Sequence, residues 1–319
     1  MKLNMLSLFK KKIPKYQITC DFIEKQIELD VSNYLGLLST PDRHFRIISE
    51  NETLTGSDAR FDCAIPMYLQ FKVSHGLKSI EDVKPSKRKN RSPLEDIRIY
   101  RSEKGLLDNP TLYFGLRVKA KNAKDFQHNI LMDYNIPGKS IAFYIAPLYL
   151  RKDEYEKSLF DSTHLRNIHF PFLYHEDINI YIKHTIKSIG TIPFLRQHIS
   201  IVPHKKVDTH EHHYSYSNTG SNIAFHSIGE TLPYKISRFS DLFQEVLENA
   251  FTYKESWQSF DDIIKNLNIV SKEHELKSIE QNSNSPMQLL REFGQQLYSK
   301  YGIKQYLICA EREHLSKNK

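Results

Sequence analysis

Between Thr55 and Ser74 the chain reads TGSDARFDCAIPMYLQFKVS, and three residues in that stretch have the types and spacing to do chemistry: Asp58, Gln70 and Lys72. Side chains alternate along a strand, so Gln70 and Lys72 share one face of the element that carries them. Asp58 would sit at the mouth of a neighbouring strand. A carboxylate, an amide oxygen and an ammonium gathered at one sheet edge suit Mg²⁺ and a phosphate. The metal takes hard oxygen ligands, here the Asp58 carboxylate, the Gln70 side-chain carbonyl and the main-chain carbonyl of Phe71. Lys72 can neutralise charge and position or deprotonate an attacking water.

These residues need elements to hold them. Phe22, Ile23, Ile27, Val31, Tyr34 and Leu35 recur at helical spacing within residues 20–37, with Gly36 near the stop. Strand-like runs follow at 45–49, 59–65 and 67–74, with a turn cluster before Asp58 and a tight connection expected at Pro66. Residues 79–101 are polar and basic and read as an exposed insertion. A strand at 111–118, an amphipathic helix at 123–134 and a fully buried strand at 140–147 complete the first half. Helices on a mixed sheet make an α/β layer, with a domain boundary near residue 150. The second half, 151–319, reads as an α+β region packed on that core. It offers strand character at 178–186 and 197–202, helices at 237–252 and 285–300, and a late strand at 303–310.

The order of helix, Asp58, QFK and helix resembles the PD-(D/E)XK, or restriction-endonuclease-like, superfamily over residues 20–150. QFK is similar to the QxK variant of Mrr-like and bacterial defence nucleases. The resemblance implies a restriction-endonuclease-like core with a mixed central sheet flanked by helices. It also implies a Mg²⁺-dependent endonuclease acting on DNA, with Mn²⁺ able to substitute, in restriction or anti-phage defence. Glu24 then matches the acidic residue of the first helix, with Glu28 one turn later on the same face as its rival. Asp62 is the rival to Asp58. Gln127 and His128 fall where phosphate or water is held. The chain departs from the common pattern at Gln70, where most members carry Glu or Asp, and a weaker metal site follows. The alternative is a catalytically silent nucleic-acid-binding or scaffold protein that keeps the fold.

Composition agrees with a polyanionic partner. The 319 residues carry a formal charge of +7 and a pI near 9.0. Lys84, Lys87, Arg88, Lys89 and Arg91 form a basic run suited to the nucleic-acid backbone. His210, His212 and His213 form a second polar tract, expected as an exposed loop. The three cysteines, Cys20, Cys63 and Cys309, are scattered and fit neither a disulfide framework nor a zinc site. The amino-terminal stretch lacks the form of a signal peptide, and the longest apolar run is far short of the roughly 20 residues that span a bilayer. The expectation is a soluble, cytoplasmic protein without a membrane partner, acting as a homo-oligomer or with a partner protein of a defence system.

Overall fold

In the computed structural model, residues 13–37, 45–51, 60–121, 123–162, 192–227, 229–232, 238–274, 276, 279 and 285–316 are described. In chain order the elements are β1 (Gln17–Ile18), α1 (Glu24–Leu37), β2 (Phe45–Ser49), β3 (Cys63–Phe71), β4 (His75–Leu77), α2 (Pro93–Glu103), β5 (Thr111–Gly115), α3 (Gln127–Asp133), β6 (Ile141–Pro147), α4 (Lys152–Ser162) and α5 (Pro193–Arg196). There follow β7 (His198–Ile201), β8 (His213–Tyr216), β9 (Ala224–His226), β10 (Glu230–Thr231), α6 (Phe239–Thr252), β11 (Gln258–Ser259), α7 (Phe260–Glu273), α8 (Pro286–Tyr301), β12 (Lys304–Ala310) and α9 (Arg312–Ser316).

They form two sheets. One runs β2-β12-β3-β6-β7, with β11 also paired to β3, and the other runs β1-β4-β5-β8-β9-β10. In the first, β3 and β6 are parallel and the rest antiparallel, which makes it a mixed sheet. The α/β expectation holds at that level.

All nine residues of β3 are buried because both its faces are covered. Alternation divides them. Cys63, Ile65, Met67, Leu69 and Phe71 join Phe22, Ile27, Val31 and Leu35 of the α1 side, while Ala64 and Tyr68 join Ile130, Leu131, Leu290, Phe293 and Leu297 from α3 and α8. Each large apolar side chain withdrawn this fully stabilises the fold by about 1.5–3 kcal/mol. Gln70 and Lys72 fall on the second face, where the packing is otherwise apolar.

Two expectations need correction. The strands expected at 59–65 and 67–74 are joined in the single strand Cys63–Phe71, and no turn forms at Pro66, which lies in register with Leu307 of β12. The sheet accommodates a proline there because pairing on the opposite side changes partner: β11 covers Cys63 and Ala64, and β6 begins opposite Met67. The expected insertion at 79–101 is only partly loop. Its end is α2, started by Ser92, whose side chain accepts from the Glu95 N–H while Glu95 accepts from the Ser92 N–H. Pro93 stands at the first helical position. The strand read at 178–186 lies outside the described residues.

The two halves of the chain share the first sheet. β12 pairs with β3 from Lys304↔Leu69 to Ala310↔Cys63 and with β2 from Tyr306↔Ser49 to Ala310↔Phe45. Helix α8 delivers the chain to β12 through Gly302, whose φ of 67° is a left-handed conformation that glycine adopts without strain. Gly294, in the middle of α8, lets the helix approach the sheet. A Cβ there would lie 2.8 Å from Glu50 Cβ and 3.1 Å from Gln305 Cβ.

A fragment ending at residue 150 therefore loses β12, β11 and β7, and exposes the β12-facing edge of β3 and the β7-facing edge of β6. It is expected to aggregate or to melt without cooperativity. Circular dichroism melting of 1–150 checks this, and a soluble, cooperatively folding fragment would contradict it.

Candidate active site

Lys72 stands where the chain leaves β3 for β4, and so at the junction of the two sheets. Its N–H still donates to Ile145 O of β6 at 2.9 Å, which fixes the backbone. The side chain points into the apolar face and is 6% exposed. Its Nζ donates to Gln127 Oε1 at 3.4 Å and lies 5.9 Å from the centre of the Tyr144 ring. Gln127, the first residue of α3, donates from Nε2 to Gln70 Oε1 and to Tyr301 O. Gln70 Nε2 in turn donates to Phe71 O at 3.0 Å. A directional chain of hydrogen bonds thus runs from the Lys72 ammonium through two buried amides to the Phe71 carbonyl.

Burial pushes the Lys72 pKa down, since the interior solvates an ammonium poorly. Glu24, the first residue of α1, opposes that shift by its charge, and Arg117 reinforces it. The neutral amine, which can accept a proton, is favoured over what an exposed lysine would allow.

Arg117 was not foreseen. It follows β5 by two residues, and its Nη1 lies 3.1 Å from the point where a Gly302 Cβ would be, with Gln127 Nε2 at 3.5 Å and Gln70 Oε1 at 3.9 Å from the same point. The guanidinium is exposed and makes no ion pair among the described residues. The signal was present in LRV at 116–118, a basic residue placed directly after a buried strand.

Of the residues singled out from the sequence, the structure brings Glu24, Gln70, Phe71, Lys72 and Gln127 into one neighbourhood. Asp58 lies outside the described residues. Asp62 does not replace it: it precedes the opposite end of β3, where its carboxylate accepts the Arg312 N–H at 2.8 Å at the start of α9. Glu28 is already committed. Lys25 at 2.6 Å, Tyr298 at 2.9 Å and Lys304 at 3.1 Å donate to it. Burial pushes its pKa up, and these partners outweigh burial and hold it below the usual carboxylate range.

His128 faces the interior. Nδ1 is 3.0 Å from Tyr144 Oη and Nε2 is 2.9 Å from Lys205 O, and burial lowers its pKa to about 4. It is a neutral tie within the core and has no surface to offer phosphate. Lys84, Lys87, Arg88, Lys89 and Arg91 are exposed. Their loop is pinned to α2 by Glu95, which accepts from the Ser86 N–H at 2.8 Å. The histidine tract is not a simple loop: His210 is exposed, His212 is buried and His213 opens β8.

The oxygen-only donors Gln70 Oε1, Phe71 O and the Glu24 carboxylate fit a hard cation better than zinc. Among the described residues no three His, Cys, Asp or Glu side chains gather in a group that could hold a metal. No helix among them is long and apolar enough to cross a membrane. Comparison of the chain with family models, with curated proteins and with solved structures returns no match.

A second buried charge lies across the sheet. Glu50, just beyond β2, has a fully covered side chain whose carboxylate oxygens accept no hydrogen bond among the described residues, and the Lys304 Nζ is 3.7 Å away. Burial outweighs the attraction of Lys304 and raises its pKa to about 7 from the usual 4.5. The folded state therefore holds the proton more tightly than the unfolded chain. That contribution is complete below pH 4.5 and is lost as pH rises through about 7. Glu50→Gln removes the titration. Its stability relative to the parent chain should improve across that window by about 3 kcal/mol. Urea denaturation at pH 5 and pH 8 measures this, and a pH-independent difference would contradict it.

Proposed function

We propose that the chain is a divalent-metal-dependent nuclease that hydrolyses phosphodiester bonds in DNA. The observation that carries this reading is the buried Lys72, its pKa lowered and its ammonium linked through Gln127 to Gln70 and the Phe71 carbonyl. Burying a lysine against neutral amides is costly to the fold. A cost of that kind at the end of a central strand is expected where the group is used.

Asp58, Gln70 Oε1 and Phe71 O would hold Mg²⁺ or Mn²⁺, which when bound supplies charge neutralisation on the phosphoryl oxygens. Gln70 would exchange its present amide partners for that role. Lys72 in its neutral form accepts the proton of the attacking water. Glu24 limits how far the Lys72 pKa falls. Arg117, free and at the mouth of the cluster, holds the scissile phosphate. The basic loop at 84–91 binds backbone phosphates without regard to sequence. A role in restriction or anti-phage defence, and assembly as an oligomer or with a partner protein, follow from the family resemblance.

A second reading is favoured by one observation. Both ends of the Gln70 amide are occupied by protein groups, as they would be in a silent nucleic-acid-binding protein that keeps the arrangement for structure. A plasmid assay separates the two readings. With Mg²⁺ or Mn²⁺ the nuclease degrades plasmid and stops on chelation, whereas the silent protein only retards its migration. In the nuclease, Asp58→Ala and Lys72→Met abolish cleavage, and Arg117→Ala lowers it by about 10²-fold. Lys72→Met is also expected to raise the melting temperature, because an apolar chain of similar volume replaces a buried amine. Cleavage by Lys72→Met at the parental rate would sink the assignment.

Neutralising Lys87, Arg88 and Lys89 together should weaken binding to unrelated DNA sequences about equally. The slope of log affinity against log salt should fall by up to about 0.9 for each phosphate no longer neutralised by the loop. An unchanged slope would make this loop a solvated surface.

A further inference from the structure

Two polar tracts outside the Lys72 cluster come together on the second sheet. The basic loop ends at Arg91, just before α2, and the histidine tract ends at His213 on β8. Between them is a cleft of about 550 Å³, lined by Arg91, Asp96 and Tyr100 on the α2 side and by Glu211, His213 and His226 on the sheet side. It shares no residue with the Lys72 cluster.

Its inner wall is fixed. His213 and His226 face each other across β8 and β9. His226 Nε2 lies 2.7 Å from Ser215 Oγ, which also accepts from Arg101 Nη1 at 3.0 Å, and Arg101 pairs with Asp108. Tyr100 is held by its hydroxyl, 2.8 Å from Thr231 Oγ1, and by an edge-to-face contact with His226 at 5.1 Å. Burial lowers the pKa of both histidines, that of His226 to about 3, so they present neutral rings near pH 7.

The rim has different chemistry. Asp96 and Glu211 are exposed carboxylates with no ion pair or side-chain hydrogen bond among the described residues. Arg91 uses Nε on Ser86 O at 3.2 Å, and its Nη groups make no hydrogen bond or ion pair among the described residues. A ligand must therefore bring N–H donors to the carboxylates, a flat body to the aromatic wall, and an anion to Arg91. The volume lies within the roughly 300–1,000 Å³ of small-molecule sites.

We propose that this cleft binds a single nucleotide whose base carries an exocyclic amine, with the phosphate on Arg91 and the amine on Asp96 or Glu211. Guanine, adenine and cytosine all offer such donors. Uracil and thymine flank their one N–H with carbonyl oxygens, which the carboxylates repel. The link to DNA rests on the nuclease reading, in which the cleft reads one displaced base of the substrate. Binding of a free nucleotide does not depend on it.

The test is calorimetric titration of the full chain, in EDTA, with GMP, AMP, CMP and UMP. At least one of the first three is expected to saturate at sub-millimolar concentration, and UMP to bind at least about tenfold more weakly. Asp96→Asn with Glu211→Gln should erase the preference. Arg91→Ala should weaken the nucleotide and spare the corresponding nucleoside, and Lys72→Ala should leave binding unchanged. Both carboxylates are exposed, so melting near the parental temperature is expected, and Asp96→Asn alone serves if the double variant fails to fold. Repeating the titration with short oligo-dC and oligo-dT separates a base within a strand from a free nucleotide. The cleft is refuted by no saturable binding, by equal affinity for UMP, or by a preference that survives loss of both carboxylates. Binding without DNA cleavage would remove the nuclease reading and keep the cleft. Cleavage without binding would do the reverse.

Discussion

β3 is buried along its whole length, and the rest of the first sheet is arranged to make that possible. A strand with both faces and both edges covered needs a hydrogen-bonding partner on each side and an apolar layer above and below. The partners are β6 and β12, and the layers come from α1 on one face and from α3 and α8 on the other. β12 arrives from the far end of the chain, so the sheet closes only when both halves are present. The polar residues at the end of β3 inherit this burial. Gln70, Lys72 and Gln127 are buried there and hydrogen-bond one another.

One physical cause then acts in opposite directions at two places. Burial disfavours the charged form of any group, so the Lys72 amine is pushed down and the Glu50 carboxyl is pushed up. Glu28 shows the counter-case: three donors around one carboxylate outweigh burial and keep it ionised. The difference between the two carboxylates lies in partners. Glu28 has Lys25, Lys304 and Tyr298 within hydrogen-bond range, whereas Lys304 stands 3.7 Å from the Glu50 carboxylate, beyond that range. Lys72 resembles Glu50 in this respect: it donates to the neutral Gln127 amide, and the charge of Glu24 offsets only part of the effect of burial.

The second sheet distributes charge differently. Arg101 of α2 is buried against it, donates to Ser215 Oγ, Asn222 O and Asp108, and ties the helix to the sheet. At the rim of its cleft, Arg91, Asp96 and Glu211 make no ion pair among the described residues. Glu95 connects the two regions, since it both caps α2 and holds the backbone of the basic loop. The cleft between α2 and β8 therefore has a rigid wall and an unpaired edge, an arrangement that favours binding over packing.

Much of the local structure was legible in the residues. Apolar spacing marked α1, α6 and α8, and continuous apolar runs marked β6 and β12, because these elements bury a fixed stripe or both faces. Period-2 alternation placed Gln70 and Lys72 on one face, and the structure keeps them there. The Ser92–Glu95 capping box was written in the sequence and marks α2, which the basic composition around it obscured. Tertiary structure alone decided the remainder. Pro66 reads as a turn, yet it lies within a central strand because the partner strands change beside it. His128 reads as a ligand for phosphate, yet Tyr144 and Lys205 O enclose it. Arg117, Gln127 and Gln70 all border the space beside Gly302, where α8 ends, although they lie far apart in the chain. Local patterning reports how a segment alternates between buried and exposed. Which segment lies beside which is set by pairings such as β3 with β12, whose partners lie more than 200 residues apart and leave no mark in either segment alone.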